Sequence, residues 1–335
     1  MNVPMWRKAL QVIPRISKEE WEKLDVISKW LISSRAAVLI MTFISAAIAG
    51  ILAFQHGEFN FGLWLLLALG LILAHATNNL VNDFTDYIKG VDKNNYYRAQ
   101  YGPQPLEHGL MSKRQLLTYI LVTGLLALAM GAYLVYLRGS LALLFLGLGA
   151  FFVLFYTFPL KYIALGEIAV LIVWGPLMIG GGYYVITGAW GWNVILASLP
   201  YALGVTTVIF GKHIDKYTAD KAKRIHTLPV LLGERAARYV VMGMTILQYL
   251  LVFYLVAIGF FTPVMLIVLF ALPTFLQVIW STYRAPKPAE KPEEYPADSW
   301  PLWFVGFAFV HNRKFGLYFL LGLIVNAALT VWVLS

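Results

Sequence analysis

Long apolar runs alternate with short charged stretches along nearly the whole chain. A membrane-crossing helix needs about 17–25 mostly apolar residues. The runs at Ala36–Ala53, Phe61–Leu80, Leu116–Leu137, Leu141–Phe158, Ile163–Ile186, Val194–Phe210, Tyr239–Phe260, Thr262–Ile279 and Phe315–Leu334 meet or approach that length. Tight joins at Arg138-Gly139 and at Phe261-Thr262-Pro263 read as helical hairpins. The pattern predicts an all-α polytopic membrane protein of about nine transmembrane helices.

Composition agrees. Of the 335 residues 60% are hydrophobic and 13% charged, whereas soluble domains are about half apolar and a quarter charged. With no cysteine, disulfide scaffolds, thiolate metal sites and cysteine nucleophiles are excluded. The net charge of +9 does not point to nucleic acid, because the basic residues lie scattered between apolar runs; lipid head groups and phosphorylated substrates suit them better. Charge also orients the chain. With the N-terminus cytoplasmic, the inner segments are 1–35, 81–115, 159–162, 211–238 and 280–314, and they hold 25 of the 26 lysines and arginines. Cations are retained on the cytoplasmic side, so the expected protein is multi-pass in the cell membrane, N-terminus cytoplasmic and C-terminus outside.

Residues 1–35 do not read as a cleavable signal peptide. Trp6, Trp21 and Trp30 among Arg7, Lys8, Arg15, Lys18, Lys23 and Lys29 suggest an amphipathic segment on the membrane surface, leaving residues 36–335 as a single transmembrane domain. The loop 280–314, with four prolines followed by Trp300, Trp303 and Phe304, reads as an irregular stretch ending in an interfacial aromatic segment.

Candidate chemistry collects at the inner ends of these helices. Asn79, Asn82, Asp83 and Asp86 are spaced three and four apart and fall on one helix face, with Asp92 beyond a glycine bend. An aspartate at membrane depth costs about 2.5–3.5 kcal/mol on insertion scales, and clustered acids repel unless a cation sits among them. Oxygen ligands without histidine or cysteine favour Mg²⁺. A second cluster carries Asp215 and Asp220 among Lys212, Lys216, Lys221, Lys223 and Arg224; taken alone it also fits an ordinary charged loop. Lys161 is the one cation of the short loop Tyr156–Tyr162, where it either binds phosphate or snorkels. Two acidic clusters with flanking cations on one membrane face suit a diphosphate held through metal. A secondary transporter is the rival from another class, but it calls for polar residues at mid-bilayer in broken helices.

These residues carry a family likeness. Asn82-Asp83-x-x-Asp86 resembles the first aspartate-rich motif of the UbiA superfamily of intramembrane prenyltransferases, and Asp215…Asp220 stands where the second belongs. Tyr156-Thr-Phe-Pro-Leu-Lys161 resembles the loop whose basic residue contacts diphosphate. Asn82–Asp92 and Thr227-Leu-Pro-Val-Leu-Leu-Gly233 look most like the dihydroxynaphthoate prenyltransferases of menaquinone synthesis. The resemblance implies nine helices around a central cavity open sideways to lipid. It also implies Mg²⁺-dependent transfer of a polyprenyl group from its diphosphate to an aromatic acceptor, in quinone biosynthesis. A tetrapyrrole or glycerol phosphate lipid is the alternative acceptor within the family. The implied metal ligands are Asn82, Asp83, Asp86, Asp215 and Asp220. Lys161, Lys212, Arg98 and Lys89 would hold the diphosphate, and His75, His213 and Tyr217 are candidates for a base. The family's second motif is usually spaced by four, and here the spacing is five. Five residues turn a helix by about 500°, so the helix should end or unwind near Tyr217–Ala219 if both aspartates serve one metal.

Overall fold

The computed structural model describes residues 1–91, 93, 102–296 and 299–334. Among these, eight helices are long and apolar enough to cross a membrane. A ninth apolar helix, Ser140–Phe155, has 16 residues and so spans about 24 Å, short of a hydrocarbon core of about 30 Å. The chain forms two compact units: Met1–Ile44 with Leu65–Pro159, and Ser45–Trp64 with Leu160–Ser335.

In the first unit, three short helices, α1 (Val3–Gln11), α2 (Lys18–Glu22) and α3 (Val26–Ser33), precede α4 (Ala36–Gln55). The Asp25 carboxylate organises them. It accepts from the backbone N–H of Asn2 at 2.6 Å, from Trp6 Nε1 at 3.1 Å and from Ser28 N at 3.0 Å, and these bonds hold its pKa well below the usual carboxylate range. Ala9, Trp21, Leu24, Leu31 and Ile32 then pack with Leu39, Ala76 and Met111. The N-terminal segment is therefore folded onto this unit's core, while Val3, Leu10, Val12, Val26 and Ile27 leave an apolar outer face.

Helix α5 (Phe61–Ile88) runs two turns past the apolar run that predicts it. The extension holds because it is amphipathic at helical spacing: Leu80, Phe84 and Tyr87 pack with Leu106 and Leu116, and the acidic positions occupy another face. Gly90 ends it. Its φ of +65° is left-handed and suits glycine, and the N–H of Val91 closes back to Asp86 O at 2.9 Å. Helices α6 (Lys113–Arg138) and α7 (Ser140–Phe155) meet at Gly139, as the tight join predicts.

The second unit contains α8 (Gly166–Thr187), α9 (Trp192–Asp215), the short helices α10 (Tyr217–Ala222) and α11 (Leu228–Leu232), α12 (Glu234–Ala257), α13 (Pro263–Tyr283) and α14 (Phe304–Leu334). Most of α9 is buried, and it packs against α8, α12 and α14. The hydropathy pattern starts the last helix at Phe315, but α14 begins eleven residues earlier. His311 and Asn312 interrupt the apolar run, yet both side chains are buried, and His311 Nε2 meets Tyr249 Oη at 3.0 Å. Arg313 and Lys314, counted with the preceding loop, lie on this helix.

Candidate functional site

In the first unit the helical register turns Asn79, Asp83 and Asp86 inward, and both aspartates are 4% exposed. Neighbouring asparagines fix the helix end. Asn78 Nδ2 donates to Val153 O at 2.9 Å and Asn79 Nδ2 to Ser34 O at 2.8 Å. Asn82 Nδ2 donates to Thr157 Oγ1 at 2.9 Å. The Asp83 carboxylate pairs with the guanidinium of Arg35, which also reaches Asn82 Oδ1 at 3.4 Å. Arg35, at φ +55° in the link between α3 and α4, is absent from the sequence-derived site. As the last cation before an apolar run it reads as a topology signal, and nothing local ties it to a residue 48 positions on. Lys89 Nζ lies 3.4 Å from the centroid of the Phe158 ring. His75 Nδ1 is bonded to Thr42 Oγ1 at 2.7 Å. Asp92 and Arg98 lie outside the described residues.

In the second unit the two aspartates turn to different partners. α9 ends at Asp215, Lys216 breaks the helix, and α10 restarts at Tyr217. The break is the single residue Lys216, and the stretch Tyr217–Ala219, expected to unwind, is instead the first turn of α10. Asp215 accepts from the backbone N–H groups of Phe304 and Val305, each at 3.0 Å. It thus caps α14, where unpaired amides and the helix dipole favour an anion. Gly211 makes the approach possible: a Cβ there would lie 2.9 Å from Phe304 O and 2.8 Å from Tyr283 Oη. Tyr283 Oη in turn donates to Phe304 O at 2.7 Å. Asp220 is also buried, and its Oδ1 lies 3.3 Å from Lys216 Nζ.

Lys161 sits in the single tight turn Leu160–Tyr162, 9% exposed. Lys212 occupies the last turn of α9, and Lys221 Nζ stands 5.9 Å from the Tyr217 ring. His213 is paired with a buried acid, its Nδ1 2.6 Å from Glu167 Oε1.

Among the described residues no group of three or more histidines, cysteines, aspartates or glutamates stands close enough to hold a metal by itself. The oxygen donors Asn82, Asp83 and Asp86 nevertheless fit Mg²⁺, which takes one or two carboxylates and completes its shell with water and substrate phosphate. The guanidinium drawn to Asp83 shows that this helix end holds a positive charge.

Residues 42–305 match the UbiA prenyltransferase family. The chain is 28% identical over 227 residues to the 1,4-dihydroxy-2-naphthoate octaprenyltransferase of Escherichia coli K12, covering 65% of this chain and 72% of that protein. It is 27% identical over 250 residues to UbiA prenyltransferase domain-containing protein 1 of Danio rerio, covering 71% of this chain and 72% of that one. The match to the Drosophila melanogaster homolog of the same protein is 26% identical, covering 61% of this chain and only 56% of the fly protein. In fold, the chain resembles the Archaeoglobus fulgidus UbiA homolog solved with DMAPP and Mg²⁺: TM-score 0.56, 17% identity, covering 89% of this chain and 99% of that one. A digeranylgeranylglyceryl phosphate synthase structure is equally similar, with TM-score 0.57 and 17% identity over 89% of this chain and 98% of that one. The family match crosses both acidic clusters and reaches the residues that Asp215 caps; the chain belongs to the UbiA prenyltransferase family.

Proposed function

We propose that the protein transfers a polyprenyl group from its diphosphate to an aromatic acceptor, in a Mg²⁺-dependent reaction serving menaquinone-type quinone synthesis. The observation that carries this reading is the buried Asp83–Asp86 pair on one helix end beside Asn82, in a chain of this family. The bacterial relative named for a dihydroxynaphthoate acceptor supports an aromatic one.

Asn82, Asp83 and Asp86 hold the metal. When bound, Mg²⁺ supplies Lewis-acid neutralisation of the diphosphate oxygens. Of the second pair, Asp220 is the candidate ligand, since it need only exchange the Lys216 ammonium. Asp215 serves by fixing the start of α14. Lys161, Lys212 and Lys89 take up the remaining phosphate charge, so that the allylic C–O bond breaks with diphosphate leaving. Aromatic faces stabilise the allylic cation, a carbon of the electron-rich ring attacks it, and a ring proton or, from a carboxylated ring, CO₂ departs. Arg35 joins the site as a cation beside Asp83.

Purified protein in lipid nanodiscs, given geranylgeranyl diphosphate and a panel of 1,4-dihydroxy-2-naphthoate, 4-hydroxybenzoate, a chlorophyllide and a glycerol phosphate lipid, tests the reading. Prenylated naphthoquinol formed with Mg²⁺ and abolished by EDTA is the expected result. Prenylation of the tetrapyrrole or the lipid alone overturns the acceptor, and no metal-dependent product with any acceptor overturns the activity.

A further inference from the structure

Glu167 has the surroundings of a functional acid, yet it is neither one of the proposed metal ligands nor one of the diphosphate's cations. It lies in the first turn of α8 and is 1% exposed. Its Oε1 is 2.6 Å from His213 Nδ1 on α9, and its Oε2 accepts from the backbone N–H of Leu228 at 3.3 Å. One carboxylate therefore joins three segments far apart in sequence: the turn and helix start at 160–167, the end of α9, and the residues entering α11. A parallel bridge between Ile163 and His226 runs beside this knot.

Two of these segments carry cations. Lys161 precedes Glu167 by six residues, and its turn is folded tightly against the start of α8. A Cβ on Gly166 would stand 3.3 Å from Lys161 Cα. Lys212 is the immediate neighbour of His213. Lysine is a flexible point charge on a long stem, so its use against a diphosphate depends on where the backbone places it. Burying an acid and an imidazole together is costly, and apolar packing of the same volume is often as stable or more so. The pair is thus poorly explained as mere packing and well explained as a directional tie between two cation-bearing segments.

We propose that Glu167 is a positioning residue for diphosphate binding: through His213 and the Leu228 amide it holds the Lys161 turn and the Lys212 end of α9 in register. The inference rests on the proposed prenyl-diphosphate chemistry.

Its test uses the full-length protein in nanodiscs and geranyl diphosphate with Mg²⁺ as the probe, with Kd from calorimetry and initial rates measured separately. Glu167→Gln keeps the side chain's size but sets an amide donor against either the His213 or the Leu228 N–H. His213→Leu removes one arm, and His213→Asn returns an N–H donor near the position of Nδ1. Glu167→Gln and His213→Leu should each raise Kd and the KM for the prenyl donor about tenfold, with kcat at saturation within about threefold of the parent. His213→Asn should recover most of that loss, and the double variant Glu167→Gln/His213→Leu should be little worse than either single. Unchanged Kd with a lowered melting temperature would make the pair structural and overturn the proposal, as would a fall in kcat with KM unmoved. Failure of His213→Asn to fold or to recover affinity counts against it equally. A parent protein that binds no geranyl diphosphate with Mg²⁺ sinks the underlying reading and this inference together; a parent that binds it, with variants that bind as well, sinks this inference alone.

Discussion

The two acidic clusters differ less in composition than in what their carboxylates touch. Asp83 and Asp86 stand one turn apart on an unbroken helix whose end is pinned by asparagines, and Asp83 faces the side-chain cation of Arg35. Asp215 and Asp220 straddle a helix break. Asp215 is held by two backbone amides of α14, and Asp220 by the lysine four residues before it. A side-chain cation can be exchanged for a metal at modest cost. Two buried amides cannot, because an unmet buried N–H costs about 1–3 kcal/mol. The two pairs thus differ in spacing, three residues against five, and in partners: the first leaves its carboxylates to the proposed metal chemistry, while Asp215 is tied to the start of α14.

The largest effect should come from the first cluster. Asp86→Ala should lower Mg²⁺-dependent turnover by about 10²–10³-fold, the scale seen when one group that stabilises transition-state charge is removed. The melting temperature in nanodiscs should stay near that of the parent. Near-parent turnover at saturating Mg²⁺ would remove Asp86 from the site. In Asp215→Ala the balance should reverse. With two amides at the start of α14 left unmet, the variant should lose about 3 kcal/mol of stability, read as a lower melting temperature and faster proteolysis. Turnover per folded molecule should fall much less. A stable but inactive Asp215→Ala protein would erase the distinction between the clusters.

A smaller effect separates Arg35 from an inert ion pair. Arg35→Gln leaves the Asp83 charge without its guanidinium and should cost about 2 kcal/mol in EDTA, below the 3–5 kcal/mol of a fully buried pair because Arg35 is partly exposed. Mg²⁺ should recover more stability in this variant than in the parent, since metal and guanidinium compete for one carboxylate. Equal stabilisation of the two proteins by Mg²⁺ would place the metal elsewhere.

What the sequence shows of this molecule follows from the range of the interactions. The apolar runs, the hairpin at Arg138-Gly139, the polar stripe Asn79–Asn82–Asp83–Asp86 and the existence of a helix break between Asp215 and Asp220 all depend on spacing within a few residues and are legible, though the break falls at Lys216 and not over Tyr217–Ala219. Arg35, whose carboxylate is 48 residues away, is not, and neither is the amide cap on Asp215, 89 residues distant. The start of α14 is hidden for a related reason. His311 and Asn312 look like the end of a loop until their buried setting is seen, and hydropathy cannot register a polar group that faces inward. The N-terminal segment shows the same limit: its tryptophans and lysines suggest a membrane-surface helix, and nothing in their spacing announces that Asp25 and the contacts with Leu39, Ala76 and Met111 also fold it onto the protein.

The smallest expected effect bears on Asp220. If Asp220 exchanges Lys216 for metal when substrate binds, then Lys216 is a competitor, and removing its charge should help the metal. An i,i+4 pair on an exposed helix contributes only about 0.3–0.5 kcal/mol. Here both side chains are largely buried, so the pair is stronger but remains replaceable. Lys216→Met keeps the apolar stem and removes the ammonium. Half-saturation of turnover should then require about two- to threefold less Mg²⁺, as expected when a competing pair of this size is lost, and the melting temperature in EDTA should drop slightly because Asp220 is left buried with less compensation. The sign decides between the two roles open to the second cluster. A higher Mg²⁺ requirement would mean that Lys216 itself helps hold the diphosphate. No change in that requirement, together with a lowered melting temperature, would mean that Asp220, like Asp215, serves the fold, leaving the first cluster as the metal's seat.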